Sequence, residues 1–255
     1  MAEFYDFVPD YAGRQDLEFY LDYSLRAKGT IMELGCGTGR VLIPTAGAGC
    51  QTVGLDLSSH MLAKCKEKLL RQPKEVQQRV LLFQGNMVDF KLDKSFSLVT
   101  TPFRPFQHLV SVEEQTACLA CVNRHLAKGG RLILDVFHPD PGKLFGPVTK
   151  EETEDVSGVS LPDGRILRRT FRITGFHRAE QYNDVELIYY VTHPDGQTER
   201  FVQAFPMRYF YRYEIEHLLA RTGFRVIDLF GDYDQSPLAN DSPEMIFVAE
   251  RVEEA

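Results

Sequence analysis

At 255 residues, 44% hydrophobic and 25% charged, the chain has the composition of a globular protein of one domain with an elaboration, or of one and a half domains. A formal charge of −7 argues against a nucleic-acid binder, which needs a basic face along the phosphates. No apolar run approaches the roughly 18 residues of a membrane span, and Met-Ala-Glu-Phe-Tyr-Asp lacks a signal-peptide layout, so the expectation is a cytoplasmic protein.

In chain order, Leu17, Tyr20, Leu21 and Leu25 recur at helical spacing within residues 14–28, and Gly29 ends that helix. A first strand is predicted over 30–34, a helix over 39–48 and a second strand over Thr52–Asp56. Ser58 reads as the N-cap of a helix over Ser59–Leu70, with Met61, Leu62 and Cys65 on one face. Strands over 79–84 and Phe96–Thr101 follow, the second leading into the loop Pro102-Phe103-Arg104-Pro105-Phe106. A helix over 112–127 is expected to be capped by Lys128-Gly129-Gly130, with a fifth strand over 131–137. This alternation predicts a mostly parallel sheet covered on both faces.

Between about 142 and 207 the texture changes. Runs at 165–172, 175–178, 185–191 and 199–205 read as strands. Pro162-Asp163-Gly164 and His193-Pro194-Asp195-Gly196 supply hairpin turns, so an antiparallel β insertion is expected. A helix over 213–222 capped by Gly223 and two strands, Phe224–Phe230 and 245–251, complete the chain.

Five cysteines, Cys36, Cys50, Cys65, Cys118 and Cys121, show no regular spacing. Cys118 and Cys121 form a C-x-x-C without the second pair of a zinc site, and they fall in a helical pattern, so they read as packed apolar side chains and no metal is expected.

The densest chemistry lies in residues 31–40, Ile-Met-Glu-Leu-Gly-Cys-Gly-Thr-Gly-Arg. Glycines between a strand and a helix let the backbone turn tightly and approach a ligand, and the helix directs free N–H groups into the same space. Seventeen residues past Gly39 the second strand ends in Asp56, where a ribose diol would be gripped. A dinucleotide fingerprint has its third glycine three positions after the second; here the spacing is G-x-G-x-G, with Glu33 two residues ahead.

This E-x-G-x-G-x-G pattern, with a strand ending in Asp56, resembles the class I S-adenosylmethionine-dependent methyltransferases. The resemblance covers about residues 14–140 and 207–252. It implies one domain over 1–255: a Rossmann-like, seven-stranded, mostly parallel sheet with an antiparallel last strand, interrupted by the β insertion at about 142–207. The insertion is similar in kind to that of members acting on small molecules, such as sugar and glycine N-methyltransferases. By the same resemblance, Glu33 orients the glycine loop and contacts the methionine ammonium through water, and Gly35, Cys36 and Gly37 lie against the methionyl part. Asp56 accepts from the ribose hydroxyls, while Leu57 and Met61 pack on the adenine; Met61 reads equally well as a core methionine. Asn86 and Met87 stand where the family usually carries an acid for the adenine amine, and Thr101 to Phe103 pass beneath the sulfonium. Tyr11 and Arg14 belong to a lid ahead of the first helix, or to a segment that packs on the domain.

The implied activity is methyl transfer to nitrogen or oxygen of a small molecule, mainly by proximity and orientation. An acceptor that must lose a proton needs a base, and His108 and His138 are the candidates because they follow the fourth and fifth strands. Arg208, Tyr209 and Tyr211 could line an acceptor pocket, and the polar residues 231–237 with 240–242 could contact the acceptor or form a solvated hairpin connection. Two further readings remain: a cofactor-binding protein without turnover, and an NAD-dependent oxidoreductase, which the glycine spacing disfavours. The expected partners are a small-molecule acceptor, no nucleic acid and no membrane, with a monomer or homodimer as the assembly.

Overall fold

A computed structural model describes residues 2–144 and 151–252. Its strands are β1 (Ile31–Leu34), β2 (Thr52–Asp56), β3 (Val80–Gln84), β4 (Phe96–Thr101), β5 (Leu126–Phe137), β6 (Thr153–Ser160), β7 (Ile166–His177), β8 (Tyr182–Thr192), β9 (Thr198–Arg208), β10 (Phe224–Phe230) and β11 (Glu244–Arg251). The chain divides into two compact units, Gln15–His138 with Phe210–Ala255, and Met1–Arg14 with Pro139–Tyr209.

The larger unit holds a seven-stranded sheet in the order β10-β11-β5-β4-β1-β2-β3. β1 to β5 are mutually parallel, and β11 runs antiparallel between β5 and β10. Strand alternation sorts the core onto two faces. Met32, Leu34, Leu132, Leu134 and Val136 pack in a cluster that also takes residues of the helices Val112–His125 and Arg212–Arg221. Ile31 and Ile133 face the other way, into a cluster with Phe19, Tyr20 and Tyr23 of helix Leu17–Arg26. Glu33 and Asp135 share the parity of Ile31 and Ile133, so both acids point to this second face, near the C-terminal edge of the sheet.

Local signals hold well. The Ser58 side chain accepts from Met61 N to cap Ser59–Leu70, and Ser111 and Glu114 form a capping box at Val112–His125. Gly223, at φ +81°, follows the helix Arg212–Arg221. The expected cap at Lys128-Gly129-Gly130 is not a helix end: the helix stops at His125 because buried Leu126 pairs with Phe96 at the head of β4. Gly129, at φ +67°, turns the chain before Arg131 takes up the register with Leu98. The early helix starts late, at Leu42, and the expected helix over 14–28 is shorter, Leu17–Arg26.

The smaller unit is an antiparallel sheet, β6-β7-β8-β9. The runs at 165–172 and 175–178 form one strand, β7, with an irregularity between Ile173 and Gly175. β6 escaped the pattern because Glu-Asp-Val-Ser-Gly carries little apolar alternation. Phe4 packs with Leu161, Leu167, Tyr189 and Val191, so the N-terminal segment is part of this unit.

Candidate functional site

The glycine loop joins β1 to the helix Leu42–Gly47. Gly35, Gly37 and Gly39 all adopt positive φ (+67°, +53° and +80°), a region that disfavours residues with a Cβ. A Cβ on Gly35 would lie 2.6 Å from Pro105 Cβ, and one on Gly39 would lie 2.6 Å from Cys65 Sγ. At Gly37 a Cβ would enter open space, with Gly35 O at 4.0 Å as its nearest neighbour. The outer glycines therefore answer to packing; the middle one borders a cradle. Gly35 N and Cys36 N both donate to Leu55 O, which ties the loop to the end of β2.

Asp56 closes the same loop. Its Oδ2 accepts from Gly37 N at 2.8 Å and its Oδ1 from Ser58 N at 2.8 Å, so two of roughly four acceptor positions of the carboxylate are used. Leu57, next in the chain, is an exposed apolar side chain at 67%, and half-buried Met61 begins the following helix. Asn86 is exposed, with its Oδ1 turned back to Val88 N at 3.2 Å, while Met87 packs against the core.

Glu33 is 4% exposed, and among the described residues none donates a hydrogen bond to its carboxyl. Burial pushes its pKa up to about 8, against a lowering pull from the Arg40 guanidinium. Arg40 itself is held by Asp16 in a two-pronged pair of 2.5 and 2.6 Å, and Asp16 is fully buried. Arg40 also lies 5.9 Å from the Phe103 ring. The Cys36 thiol is buried and its pKa is raised by desolvation.

Beyond β4, Thr101 Oγ1 donates to Ile133 O at 3.3 Å. Phe103 and Arg104 then take positive φ in succession, +64° and +69°. Asp135 holds this turn, accepting from Phe103 N at 3.0 Å, Arg104 N at 3.1 Å and the Tyr233 hydroxyl at 2.5 Å. Arg104 pairs with Glu244 through its Nη2 and Nε. His108 is exposed at the end of the turn Pro105–His108. His138 is half-buried, its Nδ1 2.9 Å from Ser242 O, a carbonyl to which that nitrogen can only donate.

Tyr11 and Arg14 lie in the smaller unit. The Tyr11 hydroxyl accepts from Arg169 at 2.6 Å, and that buried guanidinium, 4.8 Å from the Tyr11 ring, also grips Asp155. Arg14 is half-buried. Sequence reasoning missed Arg40 with Asp16, and Asp135 with Tyr233. An acid inside the apolar run Leu-Ile-Leu-Asp-Val-Phe was the available signal for Asp135.

Residues 31–130 match the family model of a methyltransferase domain. The chain is 28% identical over 222 residues to a cypemycin N-terminal methyltransferase of a Streptomyces species, covering 87% of this chain and 83% of the relative. These likenesses support a class I S-adenosylmethionine-dependent methyltransferase. A dTDP-3-amino-3,4,6-trideoxy-alpha-D-glucopyranose N,N-dimethyltransferase of Streptomyces venezuelae is 26% identical, with 79% and 78% covered. The CcbJ methyltransferase of Streptomyces caelestis shares the fold at a TM-score of 0.77, with 22% identity and 99% and 96% of the two chains covered. The segment that matches the family model carries Glu33, the glycine loop, Asp56 and Asn86. Asp135, His138, Tyr233 and Glu244 lie outside it.

Proposed function

We propose that this methyltransferase moves a methyl group from S-adenosylmethionine to an amine nitrogen of a small molecule. The carrying observation is the loop between Glu33 and Asp56: a buried carboxyl with no hydrogen-bond donor among the described residues, a glycine bordering open space, and a carboxylate with acceptor capacity to spare. These residues fit the cofactor's chemistry. Glu33 would hold the ammonium, Gly35, Cys36 and Gly37 would lie along the methionyl part, and Asp56 would take the two ribose hydroxyls. Leu57 and Met61 would cover the adenine, with Asn86 and Met87 at its edge. Support for an amine comes from relatives that are a cypemycin N-terminal methyltransferase and an N,N-dimethyltransferase of a dTDP-3-amino sugar.

When bound, the sulfonium supplies a methyl group that is already activated for transfer. The chain's own part is therefore positioning. Asp56 orients the ribose, the left-handed glycines bring backbone close to it, and Thr101 with the turn after it borders the acceptor side. A neutral amine attacks without prior loss of a proton, so a strong base is not required. His138, whose Nδ1 is held by Ser242 O, and His108 are the candidates to take the proton released afterwards. We read residues 1–255 as one such domain with an insertion at about 142–207, working in the cytoplasm as a monomer or homodimer. The acidic balance and five free cysteines support that setting.

The test is formation of S-adenosylhomocysteine with amino-sugar nucleotides, small amino acids and short peptides as acceptors, beside hydroxyl analogues of each. Turnover of an amine but not of its hydroxyl analogue is expected. Calorimetric binding of NAD at a strength comparable to S-adenosylmethionine would overturn the reading. Tight cofactor binding with no product from any acceptor would favour a protein that binds without turnover.

A further inference from the structure

Two consecutive left-handed residues that are not glycine are unusual, and here neither is Asn or Asp. Phe103 and Arg104 would relax toward negative φ if nothing opposed it. Asp135 opposes it. Asp135 is fully buried on β5 and takes both backbone N–H groups of the strained turn, one on each carboxylate oxygen. Tyr233, from the connection between β10 and β11, donates a third bond to the oxygen that serves Phe103. The Tyr233 ring packs at 5.7 Å from Phe19 and 6.1 Å from Tyr20, so the helix Leu17–Arg26 backs the phenol. The product of this arrangement is the placement of Phe103, whose ring lies 5.9 Å from Arg40, the guanidinium that acts on Glu33.

We propose that Asp135 and Tyr233 are positioning residues for methyl transfer: they hold the Phe103–Arg104 turn in its left-handed form and so fix the Phe103 ring as a wall of the site at the C-terminal edge of the sheet. The proposal rests on the methyl-transfer reading for its consequence, but not for the clamp itself. A strained turn without its clamp samples other conformations, and the wall is lost for part of the time. Cofactor affinity depends chiefly on Glu33, Gly37 and Asp56, so it should be nearly indifferent to the clamp, while the transfer rate should not.

The experiment is a mutant cycle between Tyr233→Phe and Arg104→Gly. Tyr233→Phe keeps the ring and removes one bond; Arg104→Gly relieves the backbone strain at one of the two left-handed residues that the bond helps to hold. In the otherwise native chain, Tyr233→Phe should speed amide hydrogen exchange of residues 103–104 at least tenfold. It should also lower kcat on an accepted amine about tenfold, with calorimetric affinity for S-adenosylhomocysteine changed less than threefold. In the Arg104→Gly background the same substitution should change exchange and kcat less than threefold. Equal losses in both backgrounds would reduce Tyr233 to general packing and overturn the proposal, as would native exchange in Tyr233→Phe. Failure of the native protein to bind S-adenosylmethionine would remove the methyl-transfer reading instead, and the exchange cycle would still decide the clamp.

Discussion

Asp56 and Glu33 are the two carboxylates on which the cofactor reading depends, and they differ in kind. Asp56 is satisfied by two backbone N–H groups and keeps capacity for a diol. Asp56→Ala should weaken S-adenosylmethionine by about tenfold to a hundredfold, the equivalent of about 1.5–3 kcal/mol of charge-assisted bonding, as read by calorimetry. Glu33 is buried with its pKa raised from 4.5 to about 8, so the folded ligand-free protein holds a proton there that the unfolded chain releases near pH 4.5. Its contribution to stability is therefore fully present below pH 4.5 and is lost as pH rises toward about 8. Urea unfolding at pH 5 to 8 should show native stability falling relative to Glu33→Gln across that window; a parallel pair of curves would contradict the assignment. His108→Ala and His138→Ala should each lower turnover of an amine by less than about tenfold. A loss above a hundredfold with cofactor binding intact would mean that positioning alone does not account for the rate.

At the scale of elements, the turn from β1 into Leu42–Gly47 separates packing from ligand contact within five residues. Gly35→Ala must accept both a left-handed backbone and Pro105 at 2.6 Å, so it should lose at least about 2 kcal/mol in denaturant unfolding. Gly37→Ala meets open space and carries only the backbone strain of about 1–2 kcal/mol, yet its methyl group stands in the cradle. The expected contrast is a destabilised variant at 35, and at 37 a folded variant with cofactor affinity down at least tenfold. The glycine spacing was legible in sequence because no other residue tolerates these φ values cheaply. The turn at Phe103–Arg104 was not, because its residues carry no left-handed preference and the acid that stabilises it lies some thirty positions away.

The whole molecule comprises two compact units, and the smaller takes in the N-terminal segment with the β insertion. Arg169, paired with Asp155 and Tyr11, binds that segment to the sheet. Replacing residues 142–207 by a short linker should spare binding of S-adenosylhomocysteine, because Glu33, Gly37 and Asp56 all belong to the larger unit. Loss of cofactor affinity in a deletion that still unfolds cooperatively would contradict this division. Sedimentation of the same protein tests whether the insertion is instead a dimer contact.

By itself the sequence determined the alternation of strands and helices, the hairpins of the insertion, the caps at Ser58 and Ser111, and the loop from Glu33 to Asp56. Each of these is encoded within a few residues, by hydrophobic period, by side-chain capping or by glycine's freedom at positive φ. Only the tertiary structure decided that Leu126 leaves its helix to pair with Phe96, that β6 joins the insertion sheet, and that the first fourteen residues pack with that sheet. It alone brought Asp16 to Arg40 and Asp135 to Phe103, Arg104 and Tyr233. These choices are made by burial and by polar groups that must find partners across 24 to 98 residues of chain, a distance no local pattern spans.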